Sequence, residues 1–196
     1  MNTEDLRYLK TEQLIQQVFL DSVNAVGFDK VTVTSLCQKA QISRFTFYAH
    51  YDDKFQLQEK LFQKLEEKFK DSINAEVLNR ARGGDFLSSV ERFIMDVVQN
   101  KTIIKTMFNC NKTEMSRLLA YHYIDEPTAI LVPNYYKKIA QTDTIRRSRL
   151  YLVAGLVSFI EDVVNSDNID SLETLIAQYY HLSNEAGKYF NQQLLK

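Results

Sequence analysis

Apolar residues recur along this chain at intervals of three and four residues, which is the spacing of one face of an α-helix. Between Leu6 and Val26 this spacing predicts a first helix, and Gly27 is a natural residue to end it. Only five Gly and two Pro punctuate the 196 residues. Their scarcity favours long helices over many short strands joined by turns. The sequence therefore predicts an all-α protein.

Further helices are predicted where a capping residue precedes a helical apolar stripe, and Thr32 and Ser43 are the predicted caps of two short helices. Asp53 with Gln56, and Asn111 with Glu114, have the spacing of capping boxes. Breaks are predicted at residues 83–84, and at Pro127 and Pro133. The predicted helices after the first are residues 33–40, 43–50, 54–77, 86–98, 103–108, 115–123, 135–140, 145–164 and 172–190.

Residues 31–55 contain two short predicted helices joined by Gln41 and Ile42. This is the form of a helix-turn-helix, whose second helix lies in the major groove of DNA. Phe47 is predicted to pack inward. The residues of the second helix predicted to face outward are Arg44, Phe45, Thr46 and His50. They offer a long donor, a flat apolar group that suits a thymine methyl, a hydroxyl and an imidazole.

Residues 32–55 resemble the signature of the TetR family of transcriptional regulators. The matching pattern is a Thr-capped helix, a small residue at its end, Ile42-Ser43, and then Thr46-x-Tyr48-x-x-Tyr51-x-x-Lys54. With the preceding helix, the resemblance covers about residues 6–58. It implies a helix-turn-helix DNA-binding domain in residues 1–54, containing three helices. It also implies a helical effector-binding and dimerisation domain in residues 55–196.

The resemblance also implies which residues contact DNA. The third helix of such proteins reads bases, while Thr32, Tyr48 and Lys54 match the positions that hold phosphates, and Tyr51 lies beside them. A cation in the first turn of a helix opposes the helix dipole, a cost that a phosphate at that terminus would offset. The predicted DNA-binding residues are Thr32, Thr34, Ser43, Arg44, Phe45, Thr46, Tyr48, His50 and Lys54.

The predicted DNA-binding segment is only weakly basic. The whole chain has a net charge of −1, and residues 30–54 hold four Lys or Arg against two Asp, a net of +2. DNA binding is therefore expected to depend on dimeric contact and hydrogen bonds as well as on counterion release. The family usually has Gly in place of Gln41, and a small residue in place of Phe45. These departures leave a second hypothesis open: a protein-interaction adaptor or co-activator of the same fold, with weak or lost DNA binding.

The last two predicted helices are expected to form a homodimer interface. Residues 150–160 are apolar almost all round the helix, so this helix must be covered on more than one side. Two such helices from each subunit would make a four-helix interface. The alternative is that both helices are buried within the monomer. The predicted interface residues are Leu152, Leu156, Phe159, Ile160, Val163, Leu175, Tyr179 and Leu182.

By resemblance, residues 86–140 hold a small-molecule effector pocket. Large, adaptable side chains in this stretch could line a mostly apolar cavity, although a helical core contains the same residue types. The predicted pocket residues are Phe93, Met107, Phe108, Met115, Tyr121 and Tyr123. Nothing in the sequence names the effector. Arg146, Arg147 and Arg149 are predicted to form a solvated face near Asp143.

Other classes of protein find no support in the sequence. It contains no nucleotide-binding or hydrolase motif, and its three His form no evident base–nucleophile pair, so no enzyme is predicted. Cys110, His122 and His181 lack metal-site spacing, and no metal or cofactor is predicted. The polar, acidic N-terminus is unlike a signal peptide, and the longest apolar run is too short to cross a membrane. A cytoplasmic protein with no membrane contact is predicted, and two Cys suit a reducing compartment.

The hypothesis that unites these observations is a homodimeric regulator on a palindromic operator in double-stranded DNA. An effector would shift the separation of the two DNA-binding domains and so change the affinity for DNA. The resemblance favours a repressor relieved by its ligand, and activation also occurs in the family.

Overall fold

A computed structural model describes residues 3–81, 85–132, 134–167 and 171–195. Every regular element in these ranges is helical, which confirms the all-α prediction. The elements are α1 Thr3–Val26, a 3₁₀ turn Phe28–Lys30, α2 Val33–Ala40, α3 Arg44–Tyr48, α4 Lys54–Ala81, α5 Phe86–Gln99, α6 Lys101–Ala120, a π-helix Tyr121–Asp125, α7 Glu126–Leu131, α8 Tyr135–Gln141, α9 Asp143–Asn165 and α10 Leu172–Leu194. The breaks predicted at residues 83–84 and at Pro133 lie outside the described residues.

The chain divides into two units. The first contains Met1–Leu65 and Thr102–Lys112, and the second contains Glu66–Lys101 and Thr113–Lys196. Helices α4 and α6 therefore contribute residues to both units. The domain boundary between residues 54 and 55 that the sequence suggests stays a prediction.

The first unit is built around the inward face of α1. Ile15, Phe19 and Val23 lie four residues apart on that face and are at most 1% exposed. Helix α1 packs against α2, and α2 against α3. Phe47 of α3 is fully buried, which confirms its predicted inward position. Burying a side chain of this size contributes about 1.5–3 kcal/mol, so this core fixes the short helix α3.

The two short helices begin at the predicted capping residues. The Thr32 hydroxyl accepts from the Ser35 backbone N–H at 3.1 Å, and the Ser35 hydroxyl accepts from the Thr32 N–H at 3.1 Å. The Ser43 hydroxyl accepts from the Thr46 N–H at 2.9 Å. Because Ser43 caps α3 from outside, the helix covers Arg44–Tyr48 and is shorter than the predicted 43–50.

Helix α2 ends in a left-handed residue. Gln41 has φ 54° and ψ 40°, and its N–H donates to the carbonyl oxygens of Cys37 and Gln38. Left-handed backbone costs a residue with a Cβ atom about 1–2 kcal/mol, and glycine escapes this cost. The positive φ thus matches the glycine that the TetR signature usually has here.

Replacing the strained residue by glycine should stabilise the protein. We expect Gln41→Gly to raise the free energy of unfolding by about 0.5–1 kcal/mol, since relief of strain exceeds the added freedom of the unfolded chain. Urea denaturation followed by circular dichroism measures the change. Gln38→Gly, in the interior of α2, is the matched control and should destabilise by about 1 kcal/mol. Equal effects of the two substitutions would contradict the argument.

Two predicted capping boxes have different outcomes. Asp53 accepts from the N–H groups of Phe55 and Gln56 at 2.8 Å each, but the Gln56 side chain accepts from the Asp52 N–H. The Asp53 half of the predicted capping box is therefore formed, but the Gln56 side chain bonds the N–H of Asp52 in place of that of Asp53. At Asn111, φ −157° and ψ 89° interrupt α6, where the sequence predicted the capping residue of a new helix.

The second unit is a packed set of helices in which α10 contacts α9 and α5, and α5 contacts α9. Their aromatic residues meet in the interior: the ring of Tyr179 lies 4.9 Å from that of Phe93 and 5.0 Å from that of Phe159, between centroids. A further cluster joins Tyr135 and Phe190 with their apolar neighbours. The core of this unit thus draws on residues from four of its helices.

This packing corrects the predicted dimer residues. Leu156, Ile160, Val163 and Leu175 are at most 5% exposed within one chain. Leu152 packs against the Tyr135 cluster, and Phe159 and Tyr179 form the ring contacts described above. The alternative of burial within the monomer holds for these side chains, because α5, α8 and α10 already cover α9. Leu182 differs from the others, with 70% of its surface exposed.

Candidate nucleic-acid interface

Helix α3 presents a mixed apolar and basic surface to solvent. Phe45 is 86% exposed and Tyr48 is 53% exposed, while Arg44 beside them is also exposed. Phe47, on the opposite side, anchors the helix. An aromatic ring as exposed as that of Phe45 gains little from packing within the chain, so it is accessible to a partner.

The Arg44 side chain is oriented by the preceding helix. Its guanidinium donates a hydrogen bond to the hydroxyl of Thr34 on α2. One such bond uses only one of the five N–H donors of arginine, so donors remain for a base edge or a phosphate. Thr34 was predicted as a DNA-binding residue, and the structure adds that it holds Arg44.

Three predicted hydroxyls already have partners in the chain. Thr32 and Ser43 accept the capping bonds that begin α2 and α3. The hydroxyls of Ser43 and Thr46 lie 2.8 Å apart. A hydroxyl has one donor and two acceptor sites, so each of these groups would have to bond a phosphate while it keeps its partner in the chain. Their first contribution is to set the direction of the two helices.

Lys54 has a role in the structure that differs from the predicted phosphate contact. Its ammonium donates to the carbonyl oxygens of Phe28 at 3.0 Å, Val31 at 2.9 Å and Asp29 at 3.4 Å. It also lies 4.4 Å from the centroid of the Phe28 ring. The first and last of these carbonyls mark the start of the 3₁₀ turn and the residue that follows it, so all three lie in the segment that precedes α2. They offset the unfavourable position of a cation at the start of α4 without any phosphate.

His50 differs from the other predicted DNA-binding residues of this segment, because its side chain faces the core. Helix α3 ends at Tyr48, and the chain then turns so that His50 is only 7% exposed. Its ring stacks on that of Tyr8 with centroids 3.9 Å apart. Burial lowers the pKa of His50 below its ordinary value. The outward orientation predicted for His50 is wrong.

Tyr51, which follows α3 in the signature, is also internal. Its side chain is 1% exposed, and its hydroxyl accepts from the Gln16 amide at 2.7 Å and donates to Glu12 at 3.3 Å. Burial raises the pKa of Tyr51 well above its ordinary value. Tyr51 therefore joins α1 to the segment after α3 and is not placed to meet a phosphate.

Sequence reasoning missed two residues that support this segment. Tyr8 of α1 stacks on His50, and Lys60 of α4 donates to the His50 carbonyl oxygen at 3.2 Å. Lys60 also lies 4.8 Å from the centroid of the Tyr51 ring. No local sequence pattern marks either residue. The partner of Tyr8 is distant along the chain, and Lys60 bonds a backbone carbonyl group.

Removing the Lys54 ammonium should destabilise the first unit. We expect Lys54→Met to lower the free energy of unfolding by about 1–3 kcal/mol, because partly buried carbonyl groups lose charge-assisted hydrogen bonds. Lys70→Met in the exposed part of α4 is the matched control, with an effect within about 0.5 kcal/mol. Urea denaturation of both variants measures the difference. Equal stability of the two variants would show that the carbonyl contacts contribute little.

The predicted effector-pocket residues divide between the units. Met107 and Phe108 belong to the first unit, and the other four belong to the second. Phe93 and Met115 are core side chains at 4% and 0% exposure, whereas Tyr121 is 42% exposed. A cleft of about 420 Å³ in the second unit includes Tyr121 alone among the six. The pocket predicted from large apolar residues therefore does not coincide with this cleft.

The three arginines near the start of α9 lie in two different environments. Arg146 and Arg147 pair with Asp143 at 3.1 and 3.4 Å on the exposed side, as predicted. Arg149 turns inward and pairs with Asp125 of the π-helix. The prediction that Arg149 is solvated is wrong, because a buried carboxylate lies within its reach.

The described residues also bear on metal binding and on membrane insertion. Among those residues, no group of three or more His, Cys, Asp or Glu side chains is placed to hold a metal ion. None of the helices in the same ranges is both long and apolar enough to span a bilayer.

Solved structures of two regulators are similar to this chain. One is the crystal structure of a TetR transcriptional regulator from Streptococcus agalactiae 2603V, with a TM-score of 0.59 and 17% identity, covering 92% of this chain and 97% of that chain. The other is the dihydroxyacetone kinase operon activator DhaS, with a TM-score of 0.51 and 20% identity over the same shares. No protein-family model and no curated protein sequence matches the chain. At these identities the likeness establishes a shared fold.

Proposed function

We propose that this chain, which has the fold of TetR transcriptional regulators, binds double-stranded DNA as a homodimer and regulates transcription. The observation that carries the proposal is the exposed surface of α3, where Arg44 and Phe45 stand on a helix capped by Ser43 and anchored by Phe47. A rigid, short helix that follows another across a tight turn is the element that enters a major groove.

The chemistry of this surface suits base edges. Arginine donates two hydrogen bonds to O6 and N7 of guanine, and an aromatic ring packs against the methyl group of thymine. Thr34 restricts the Arg44 side chain and so reduces the entropy that is lost when it meets a base. We therefore assign base recognition to Arg44 and Phe45, and withdraw it from His50, which is buried.

The phosphate contacts come from fewer cations than the signature suggests. The Lys54 ammonium already bonds three carbonyl groups, and Lys39 donates to the Ser22 hydroxyl at 3.0 Å. The groups that remain to contact the phosphates of the DNA backbone are Tyr48 and the N-terminal region of α2. Since each neutralised phosphate adds about 0.9 to the slope of log affinity against log salt, we expect a shallow salt dependence.

Arg44 tests the DNA interface directly. We expect Arg44→Ala to weaken binding to a selected operator at least about tenfold, because a bidentate base contact contributes roughly 1–3 kcal/mol. Operator fragments come from selection against genomic DNA, and fluorescence anisotropy measures affinity at several salt concentrations. Arg92→Ala, on the exposed side of α5, is the matched control and should bind like the unsubstituted protein.

Two results would count against this assignment. If no genomic fragment binds better than random DNA, the chain has no operator. If Arg44→Ala binds the selected operator as well as the unsubstituted protein does, α3 does not read bases. Full regulatory activity of Arg44→Ala in cells would favour the protein-interaction hypothesis, in which DNA affinity is weak or lost.

The dimer contact is proposed on the exposed faces of α9 and α10. Tyr151, Gly155 and Ser158 follow one another at helical spacing on the exposed side of α9, and Leu182 is exposed on α10. A Cβ atom added to Gly155 would meet nothing within 4 Å in the chain, so packing within the monomer does not explain this glycine. Small residues on a helix face allow a second helix to approach closely, as a self-complementary contact requires.

A charge at the proposed contact should separate the subunits. We expect Leu182→Glu to raise the dimer dissociation constant at least about tenfold, because a carboxylate would be desolvated in an apolar interface. Sedimentation equilibrium measures the change. Ile130→Glu, at a 56% exposed position of α7, is the matched control. A monomer at all concentrations, or a dimer that Leu182→Glu leaves intact, would refute this interface.

The proposal extends to control by a small-molecule effector in the second unit, acting in the cytoplasm. An effector changes DNA affinity only if it binds the DNA-competent and DNA-incompetent states with different affinities. The family resemblance favours repression relieved by the effector, while the similar structure of DhaS is named an operon activator. Transcription from the selected operator, with and without the protein, decides the sign of regulation.

A further inference from the structure

The second unit contains an open cleft of about 420 Å³ whose lining includes three charged side chains. Its volume falls in the range of small-molecule sites. The lining residues come from α6, the π-helix and α9, and they are Ser116, Arg117, Ala120, Tyr121, Asp125, Arg149 and Val153. Two arginines and one aspartate give this lining a formal charge of +1.

The deep side of the cleft is a fixed ion pair. The Arg149 Nε donates to Asp125 Oδ1 at 2.6 Å, and its Nη2 donates to Oδ2. The Tyr135 hydroxyl donates to Asp125 Oδ1 at 2.9 Å. The hydrogen bond that Arg149 donates to Asp125 raises the pKa of Arg149, so its guanidinium stays charged. Asp125 thus accepts three hydrogen bonds, two of them from Arg149, while Arg149 retains donors that this pair does not use.

The outer side of the cleft carries a replaceable ion pair. Arg117 has a side chain that is 69% exposed, and it pairs with Glu114 one helical turn away. Ion pairs with this exposure contribute little to stability, so a ligand anion can take the place of Glu114 at small cost. Tyr121 is 42% exposed beside it and offers an aromatic face and a hydroxyl.

Packing alone does not account for this arrangement. Replacing a buried ion pair by apolar residues is often neutral or stabilising, so such a pair is weak evidence for a purely structural role. Packing alone also leaves the π-helix unexplained. In this turn the Glu126 N–H donates to the carbonyl oxygen of Tyr121, five residues back. Helical turns of this type are rare and occur frequently at functional sites. This turn supplies both Tyr121 and Asp125 to the cleft.

We infer that the cleft binds a small organic anion, a carboxylate or phosphate ester with a short apolar body. Arg117 and the unused donors of Arg149 hold the anionic group, and Tyr121 and Val153 contact the apolar body. Charge-assisted and bidentate bonds from arginine suit both kinds of anion. The inference rests on the proposed function in one respect: the anion is the effector of the regulator.

Calorimetric titration of the full chain without DNA tests this site. The probes are benzoate, salicylate and phenyl phosphate, with neutral benzamide as the uncharged counterpart of benzoate. We expect saturable binding of at least one anion at millimolar or lower concentration, and no binding of benzamide. The carboxylate and phosphate probes show which anion the cleft prefers. Absence of saturable binding by all three anions up to 10 mM, a limit on the order of the weakest specific affinities, would overturn the inference.

Two arginine variants locate the binding. Arg117→Gln should weaken the anion at least about tenfold, as expected for loss of a charge-assisted contact. Arg146→Gln is the matched control, because Arg146 also pairs with a carboxylate three residues away and is exposed, but does not line the cleft. Equal affinity of the two variants would overturn the assignment to this cleft. Since no DNA is present, anion binding can succeed or fail independently of operator binding, and the two proposals are separately testable.

Discussion

A five-residue helix is too short to persist alone, so the proposed DNA-reading surface depends on the contacts that hold α3 in place. Burial of Phe47 supplies the anchor, and the Ser43 cap sets the start of the helix. The Lys54 ammonium holds the carbonyl groups just before α2 and thereby the helix that precedes the turn. Lys54 would therefore act on the proposed DNA binding indirectly, because it fixes the position of the helices from which Arg44 projects.

The sequence predicted features that depend on neighbours within a few residues. The caps at Thr32 and Ser43, and the interruption at Asn111, are all of this kind. The positions of His50 and Arg149 were wrong because their partners, Tyr8 and Asp125, are distant along the chain. Helical periodicity gives the inward face of a helix, but it does not say which residue turns inward after the helix ends.

Apolar periodicity also leaves open what covers a buried face. Residues 150–160 suggested a contact between subunits, yet α5, α8 and α10 of the same chain cover much of α9. The candidates that remain for a second copy are those whose exposure is unexplained within one chain, such as Leu182 and the open side of Gly155. Exposure in the folded chain is the information that the sequence lacks, and it moves the proposed interface to a different face of the same helices.

The polar cleft gives the effector hypothesis a physical route that the apolar pocket did not. Arg117 and its partner Glu114 lie on α6, the helix that also supplies Thr102–Lys112 to the first unit. An anion that replaces Glu114 at Arg117 changes the electrostatic environment of α6 just after its interruption at Asn111. A ligand shifts a conformational equilibrium only by its difference in affinity between the two states. The exchangeable pair would supply such a difference in a protein whose α6 had a second arrangement with Arg117 farther from Arg149, since only the closer spacing lets one anion bind both.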